Sequence, residues 1–112
     1  MNGIYTVKQV NSYIKNMFTQ DFMLNRIYVK GEISNCKYHP SGHIYFSLKD
    51  ESGTIACVMF AGSRAGLSFT LKNGQRVIAF GSVSVYERDG KYQLYAREIK
   101  LDGAGELYEK FE

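Results

Sequence analysis

At Arg26 the spacing of apolar residues changes from a helical period near 3.6 to a period of 2, and the shorter period then holds for most of the chain. That switch is the strongest constraint on the fold, because it calls for one helix followed by a sheet whose strands are each half-buried. Ahead of it, Val7, Val10, Ile14, Met17 and Phe18 form one apolar stripe. Thr6 is the expected N-cap, and Gln9 three residues later completes a capping box, so the helix is predicted over about residues 6–19.

Beyond Arg26, Ile27, Val29, Gly31 and Ile33 alternate with Tyr28, Lys30 and Glu32. Gly31 inside that strand predicts a bulge or tight bend of the kind that lets a sheet coil on itself. Residues 35–42 read as a polar loop turning at Pro40-Ser41-Gly42. The second strand has Ile44, Phe46 and Leu48 on one face and His43, Tyr45, Ser47 and Lys49 on the other. Asp50-Glu51-Ser52-Gly53 is a hairpin turn, and Thr54–Phe60 returns with Ile55, Cys57 and Met59 facing inward. That leaves Phe60 outside, beside Val58. Ala61–Ser68 reads as a short helix or irregular connector. A long strand over Arg76–Tyr86 is joined by an Asp89-Gly90 hairpin turn to a last strand, Tyr92–Leu101.

Five short strands, a glycine in the first and a connector after the third fit a mainly β, five-stranded OB-fold barrel with a leading helix. A β-sandwich, the main competitor, usually needs seven strands. The barrel is predicted over residues 1–102. In the tail 103–112, Leu107, Tyr108 and Phe111 begin an amphipathic pattern. Periodicity alone leaves open whether these residues dock on the barrel or start a linker toward a further domain.

The bulk numbers narrow the function classes. With 112 residues the chain can bury one real core. No apolar run approaches a membrane span, and the start Met1-Asn2-Gly3-Ile4-Tyr5-Thr6 lacks the features of a secretory signal, so a cytoplasmic location without membrane contact is expected. Two cysteines, Cys36 and Cys57, make no disulfide framework. A net charge of +3 permits a polyanionic partner without demanding one. Nine tyrosines and seven phenylalanines exceed what one small core requires.

The candidate site therefore lies on the outward face of the second and third strands. Tyr45 and Phe60 there offer a stacking platform for bases. Lys30, Lys37, Lys49, Arg64, Arg88 and Lys91 surround it as phosphate contacts, and His43, Ser34 and Asn35 add hydrogen-bonding groups. Tyr86, Tyr92 and Tyr95 either extend the platform or serve as cross-strand partners in the last hairpin. The competing reading of Phe60 is a plug at the barrel's open end, or a contact for another protein domain. An RNA-binding barrel is a further alternative. Cys36, His39 and His43 superficially resemble zinc ligands, but a fourth is missing and Cys57 faces inward. No Gly-rich phosphate loop, nucleophile with a positioned base or suitable carboxylate pair is present, so neither catalytic residue, metal nor cofactor is assigned.

Three runs carry a resemblance to a known family: Val29-Lys30-Gly31-Glu32-Ile33-Ser34-Asn35, Ser41-Gly42-His43-Ile44-Tyr45-Phe46-Ser47-Leu48-Lys49-Asp50, and Val58-Met59-Phe60. Together they closely resemble the N-terminal domain of the exodeoxyribonuclease VII large subunit. The similarity extends through Thr6–Ile14, Val83-Ser84-Val85-Tyr86 and Gly90-Lys91-Tyr92-Gln93-Leu94 to the end at Phe111-Glu112. The resemblance implies an OB-fold domain that grips single-stranded DNA, followed by a catalytic domain and a helical region that recruits small subunits. It implies that the parent enzyme cuts single-stranded DNA into oligonucleotides while this part holds none of the catalytic residues. It also favours reading the tail as the approach to a catalytic domain. The implied binding residues are Phe60, with Arg64 and Lys37 as phosphate contacts. Many relatives place a basic residue directly after the phenylalanine, where this chain has Ala61-Gly62-Ser63, so its basic rim is thinner.

Overall fold

The computed structural model describes residues 3–103. Two helices, α1 (Val7–Gln20) and the single turn α2 (Phe22–Asn25), precede five strands. These are β1 (Ile27–Tyr38), β2 (Ile44–Lys49), β3 (Thr54–Met59), β4 (Arg76–Tyr86) and β5 (Lys91–Leu101), with a 3₁₀ connector helix over Ala61–Gly66. They close into a barrel in the order β1-β2-β3-β5-β4, and β1 completes the ring against β4. The pairings are antiparallel except for the parallel contact of β3 with β5. Fold class and element order are those expected of the OB fold. The tail pattern at Leu107, Tyr108 and Phe111 lies outside the described residues.

Closure depends on β1 serving two neighbours. Ile27–Glu32 pairs with β4, Glu32–Tyr38 pairs with β2, and Glu32 stands opposite both Arg76 and Lys49. Gly31 sits at this switch, where a Cβ would come within 3.1 Å of the Lys49 carbonyl oxygen. The bulge itself falls later than the glycine suggests. The register breaks between Ser34 and Lys37, and Asn35 there has φ 52°, a left-handed conformation that asparagine tolerates. The strand then resumes to Tyr38, through residues the alternation pattern assigns to a loop. The extra residue reverses which side chains face out: Cys36 turns toward the core and Lys37 toward solvent. Asn73 Oδ1 accepts the Cys36 amide at 2.9 Å, so the bulge leaves that donor satisfied.

The core is the inner face of the sheet. Ile33, Ile44, Phe46, Leu48, Cys57, Met59, Val77, Ala79, Val83, Leu94, Ala96 and Ile99 are buried, and Leu71 caps them from the segment before β4. Full burial of each large aliphatic side chain contributes about 1.5–3 kcal/mol. The connector helix lies directly on β5: a Cβ at Gly66 would sit 2.0 Å from the Arg97 carbonyl oxygen.

The leading helix departs from expectation in one respect. Its capping box forms, the Gln9 amide donating to Thr6 Oγ1 at 3.1 Å and the Thr6 amide to Gln9 Oε1 at 2.8 Å. Its apolar stripe, however, does not face the barrel: Val7, Val10, Ile14 and Met17 stay exposed, and only Phe18 packs on the core. The polar side makes the attachment. Asn11 donates to the Glu87 carbonyl at 3.0 Å, Ser12 Oγ donates to Glu87 Oε2 at 2.6 Å, and Lys15 Nζ lies 3.4 Å from Glu87 Oε1. No described helix is long and apolar enough to cross a membrane.

Candidate nucleic-acid interface

The barrel's register lines up a row of outward positions across four strands. Lys37 on β1 stands opposite Tyr45 on β2, Tyr45 opposite Val58 on β3, and Val58 opposite Tyr95 on β5. Val58 was expected to be exposed there, yet it is 1% exposed and outside the inner core cluster. Lying between two tyrosines in the row, it forms an apolar floor beneath them. Phe60, just past β3, completes the surface: its ring centroid is 5.7 Å from that of Tyr95 and 5.1 Å from that of His43. His43 and His39 in turn approach Tyr45 edge-on at 6.4 and 6.1 Å. Tyr45 is 42% and Phe60 45% exposed, so each ring is seated on one side and open on the other.

Hydrogen bonds fix this geometry. The Ala61 amide donates to His43 Nδ1 at 2.9 Å, which ties the start of the connector helix to the mouth of β2. Arg64 Nη1 donates to the Gly42 carbonyl at 3.0 Å, and its guanidinium carbon lies 5.6 Å from the Tyr38 ring centroid. The Tyr38 hydroxyl donates to the Leu71 carbonyl at 2.9 Å and accepts the Leu71 amide at 2.7 Å, so that ring is anchored too. Arg64 thus spends one donor on the fold, and its guanidinium fork carries further donors. The ion pairs among the described residues are Lys15–Glu87 and Lys49–Glu32, so neither Lys37 nor Arg64 is neutralised by a carboxylate.

The remaining predicted residues are only partly gathered here. Ser34, opposite Ser47, sits on the same outer surface one step along from Lys37, and Asn35 is exposed in the bulge. Lys49 shares the outer face of β2 but lies at its far end, 4.0 Å from Glu32. Lys30 stands opposite Ile78 on the part of β1 that pairs with β4, away from Phe60. Tyr86 faces out across from Lys91, and Arg88 lies in the turn that joins them; α1 braces this hairpin from the other side. Of the other two tyrosines left open alongside Tyr86, Tyr92 packs against Phe18 at 6.2 Å and supports α1, whereas Tyr95 joins the platform. His39 is the platform member missing from the sequence assignment, which left Tyr95 open. The alternation of β5, with Leu94 and Ala96 inside, is the signal that turns Tyr95 outward.

Among the described residues no three His, Cys, Asp or Glu side chains converge as metal ligands, and His39 Nδ1 is held 2.8 Å from Ser41 Oγ. Burial raises the Cys36 thiol above its ordinary value and pushes Cys57 up to about 12, so both stay protonated and poorly nucleophilic at neutral pH. A groove of about 560 Å³ lies elsewhere, at the Gly31 end of the barrel. It mixes Lys30, Lys49 and Arg76 with Glu32, Asp50, Glu51 and Asp102, a balance that favours neither an anion nor a cation.

A closed five-stranded barrel with an aromatic, cation-edged outer face defines a class, and comparison with known proteins agrees. The chain belongs to the family of OB-fold nucleic acid binding domains, which it matches over residues 5–100. Within that class it is 71% identical, over all 112 residues, to part of the exodeoxyribonuclease 7 large subunit of Lachnoclostridium phytofermentans, covering 28% of that protein. It is 57% identical over 107 residues to the protein of the same name from Clostridium botulinum strain Okra, covering 96% of this chain and 27% of that one. The chain therefore spans a little over a quarter of the length of these relatives. Among solved structures, a replication protein A heterotrimer bound to ssDNA matches with TM-score 0.59 at 11% identity, over 79% of this chain and 67% of that one. The asparaginyl-tRNA synthetase of Pyrococcus horikoshii matches with TM-score 0.56 at 16% identity, over 70% of this chain and 20% of that one. At such identities these structures speak to the fold alone.

Proposed function

We propose that the chain is the single-stranded-DNA-binding part of an exodeoxyribonuclease VII large subunit. It grips the strand by stacking bases on Tyr45, Phe60 and Tyr95 while Lys37 and Arg64 hold phosphates. The observation that carries the reading is the row Lys37–Tyr45–Val58–Tyr95 with Phe60 at its end: open aromatic faces on a rigid floor, beside two cations free of carboxylates. Stacking engages the face common to all bases, so binding is largely indifferent to sequence, and each stacked base contributes about 1–3 kcal/mol. Cleavage of single-stranded DNA to oligonucleotides, assembly with small subunits and a cytoplasmic location belong to the longer protein, whose chemistry lies outside this part. The high identity to exodeoxyribonuclease 7 large subunits supports that assignment.

Fluorescence anisotropy with a short single-stranded oligonucleotide at two salt concentrations tests the reading. Affinity should fall as salt rises, with a slope of about −0.7 for each phosphate neutralised. Phe60→Ala should weaken binding about tenfold or more, one stacked base being worth that much. Affinity indifferent to salt, preference for duplex or RNA, or an unaltered Phe60→Ala variant would each count against it.

A further inference from the structure

A second aromatic cluster lies on the barrel's opposite flank, where β1 closes on β4. Tyr28 stands directly opposite Phe80, and their ring centroids are 4.7 Å apart. Two guanidiniums flank the Phe80 ring, Arg97 at 5.1 Å and Arg26 at 5.8 Å. Arg97 also donates to the Asn25 carbonyl at 3.1 Å, so a structural use accounts for its placement. No such use accounts for Tyr28, which holds its ring on Phe80 while remaining 71% exposed. The next row of the same face carries Lys30 and Lys100 on either side of Ile78. Neither of these lysines nor either arginine is in an ion pair among the described residues, and the acidic side chains beside Tyr28 and Lys100 are Glu98, opposite Phe80, and Asp102.

This cluster adjoins the platform already described through β5. Tyr95 and Arg97 are alternate residues of β5, about 7 Å apart along a strand. Two runs of contacts, Tyr45–His43–Phe60–Tyr95 at 6.4, 5.1 and 5.7 Å and Arg97–Phe80–Tyr28 at 5.1 and 4.7 Å, therefore meet at this step of β5. We propose that a bound single strand continues past Tyr95 over β5 and stacks a further base on Tyr28, its phosphates drawn along by Arg26, Lys30 and Lys100. This rests on the single-strand reading above and extends its path from one face of the barrel to two. Pre-stacking on Phe80 makes Tyr28 a stiff platform, so less side-chain freedom is lost when a base lands on it.

The test uses the 112-residue chain and two oligothymidylates, of about five and about fifteen nucleotides, lengths near the two ends of the range of site sizes of single OB folds. Tyr28→Ala should weaken the longer oligonucleotide about tenfold and the shorter less than twofold, whereas Phe60→Ala should weaken both. The double variant Lys30→Gln, Lys100→Gln should lower the salt slope for the longer strand alone, by about 1.4. This second variant leaves the Tyr28–Phe80 packing intact and so answers the question if Tyr28→Ala fails to fold. Equal responses of both lengths, or none, to the Tyr28 and lysine changes overturn the extended path while leaving the first platform standing if Phe60→Ala still acts. Loss of the Phe60 effect as well would instead overturn the underlying reading.

Discussion

The contact between the connector helix and β5 allows a sharp comparison of two glycines in one short element. Gly66 has no room for a side chain: a Cβ would meet the Arg97 oxygen at 2.0 Å and the Arg97 carbon and Glu98 Cα at 3.0 Å. All three are backbone atoms, so none can rotate away. Restoring even a tight contact of 3.0 Å to the oxygen means moving one backbone by about 1 Å, across the Leu67–Ile99 bridge that follows. Overpacking of this kind costs about 1–3 kcal/mol, and a clash with backbone belongs at the upper end. Gly62, four residues earlier, has nothing within 4 Å of its would-be Cβ and no positive φ. Alanine there removes unfolded-state freedom and should be neutral or stabilise by up to about 0.5–1 kcal/mol. In urea, a loss of about 2–3 kcal/mol at an m-value of about 1–2 kcal/mol/M lowers the midpoint by about 1–3 M for Gly66→Ala, while Gly62→Ala holds or gains slightly. Because the same helix carries Arg64 and the Ala61 amide that holds His43, Gly66→Ala should also weaken DNA binding at temperatures where the protein remains folded. Equal midpoints for the two variants would refute this account of how the connector seats the site.

Two further outcomes follow from charge and burial. The Glu87 carboxyl is held below its ordinary value of 4.5, first by the Ser12 hydroxyl and then by Lys15, so the attachment of α1 is fully present above that value. It is lost as pH falls through the lowered one; an NMR titration should place the Glu87 midpoint below that of an exposed glutamate, with Asn11 and Ser12 amides shifting in step, and an ordinary midpoint would refute the link. Alkylation by iodoacetamide near pH 8 should label Cys36 well before Cys57, whose buried thiol is pushed up to about 12; mass spectrometry that finds the order reversed would show that β3 opens far more readily than its packing implies.

What the sequence revealed and what it concealed divide along a physical line. The alternation of Ile44, Phe46 and Leu48 with Tyr45 and Ser47 was legible because one sheet face is core and the other solvent. The Thr6–Gln9 capping box was legible because it is local. Cys36 and Lys37 were not, since a bulge adds one residue and reverses the alternation without changing composition. Val58 looked exposed by parity; its burial comes from Tyr45 and Tyr95, brought to it by the β2 pairing and by a parallel contact between strands more than thirty residues apart. Tyr28 and Phe80 meet only when the barrel shuts, which no period along the chain encodes. The stripe of α1 was misread for the opposite reason. Its periodicity is genuine, but periodicity reports an apolar face, not where that face is turned.

That orientation has a thermodynamic consequence. Apart from Phe18, α1 keeps Val7 and Met17 mostly in water and Val10 and Ile14 close to half exposed while folded, so releasing the helix hydrates comparatively little apolar surface. Its opening should therefore carry only a small heat-capacity change and a small denaturant dependence, both of which scale with the area newly wetted. Calorimetry and urea melts would record chiefly the barrel. Amide exchange under native conditions would show α1 opening on its own, at a free energy set by the Asn11, Ser12 and Lys15 contacts with Glu87 rather than by the stability of the core.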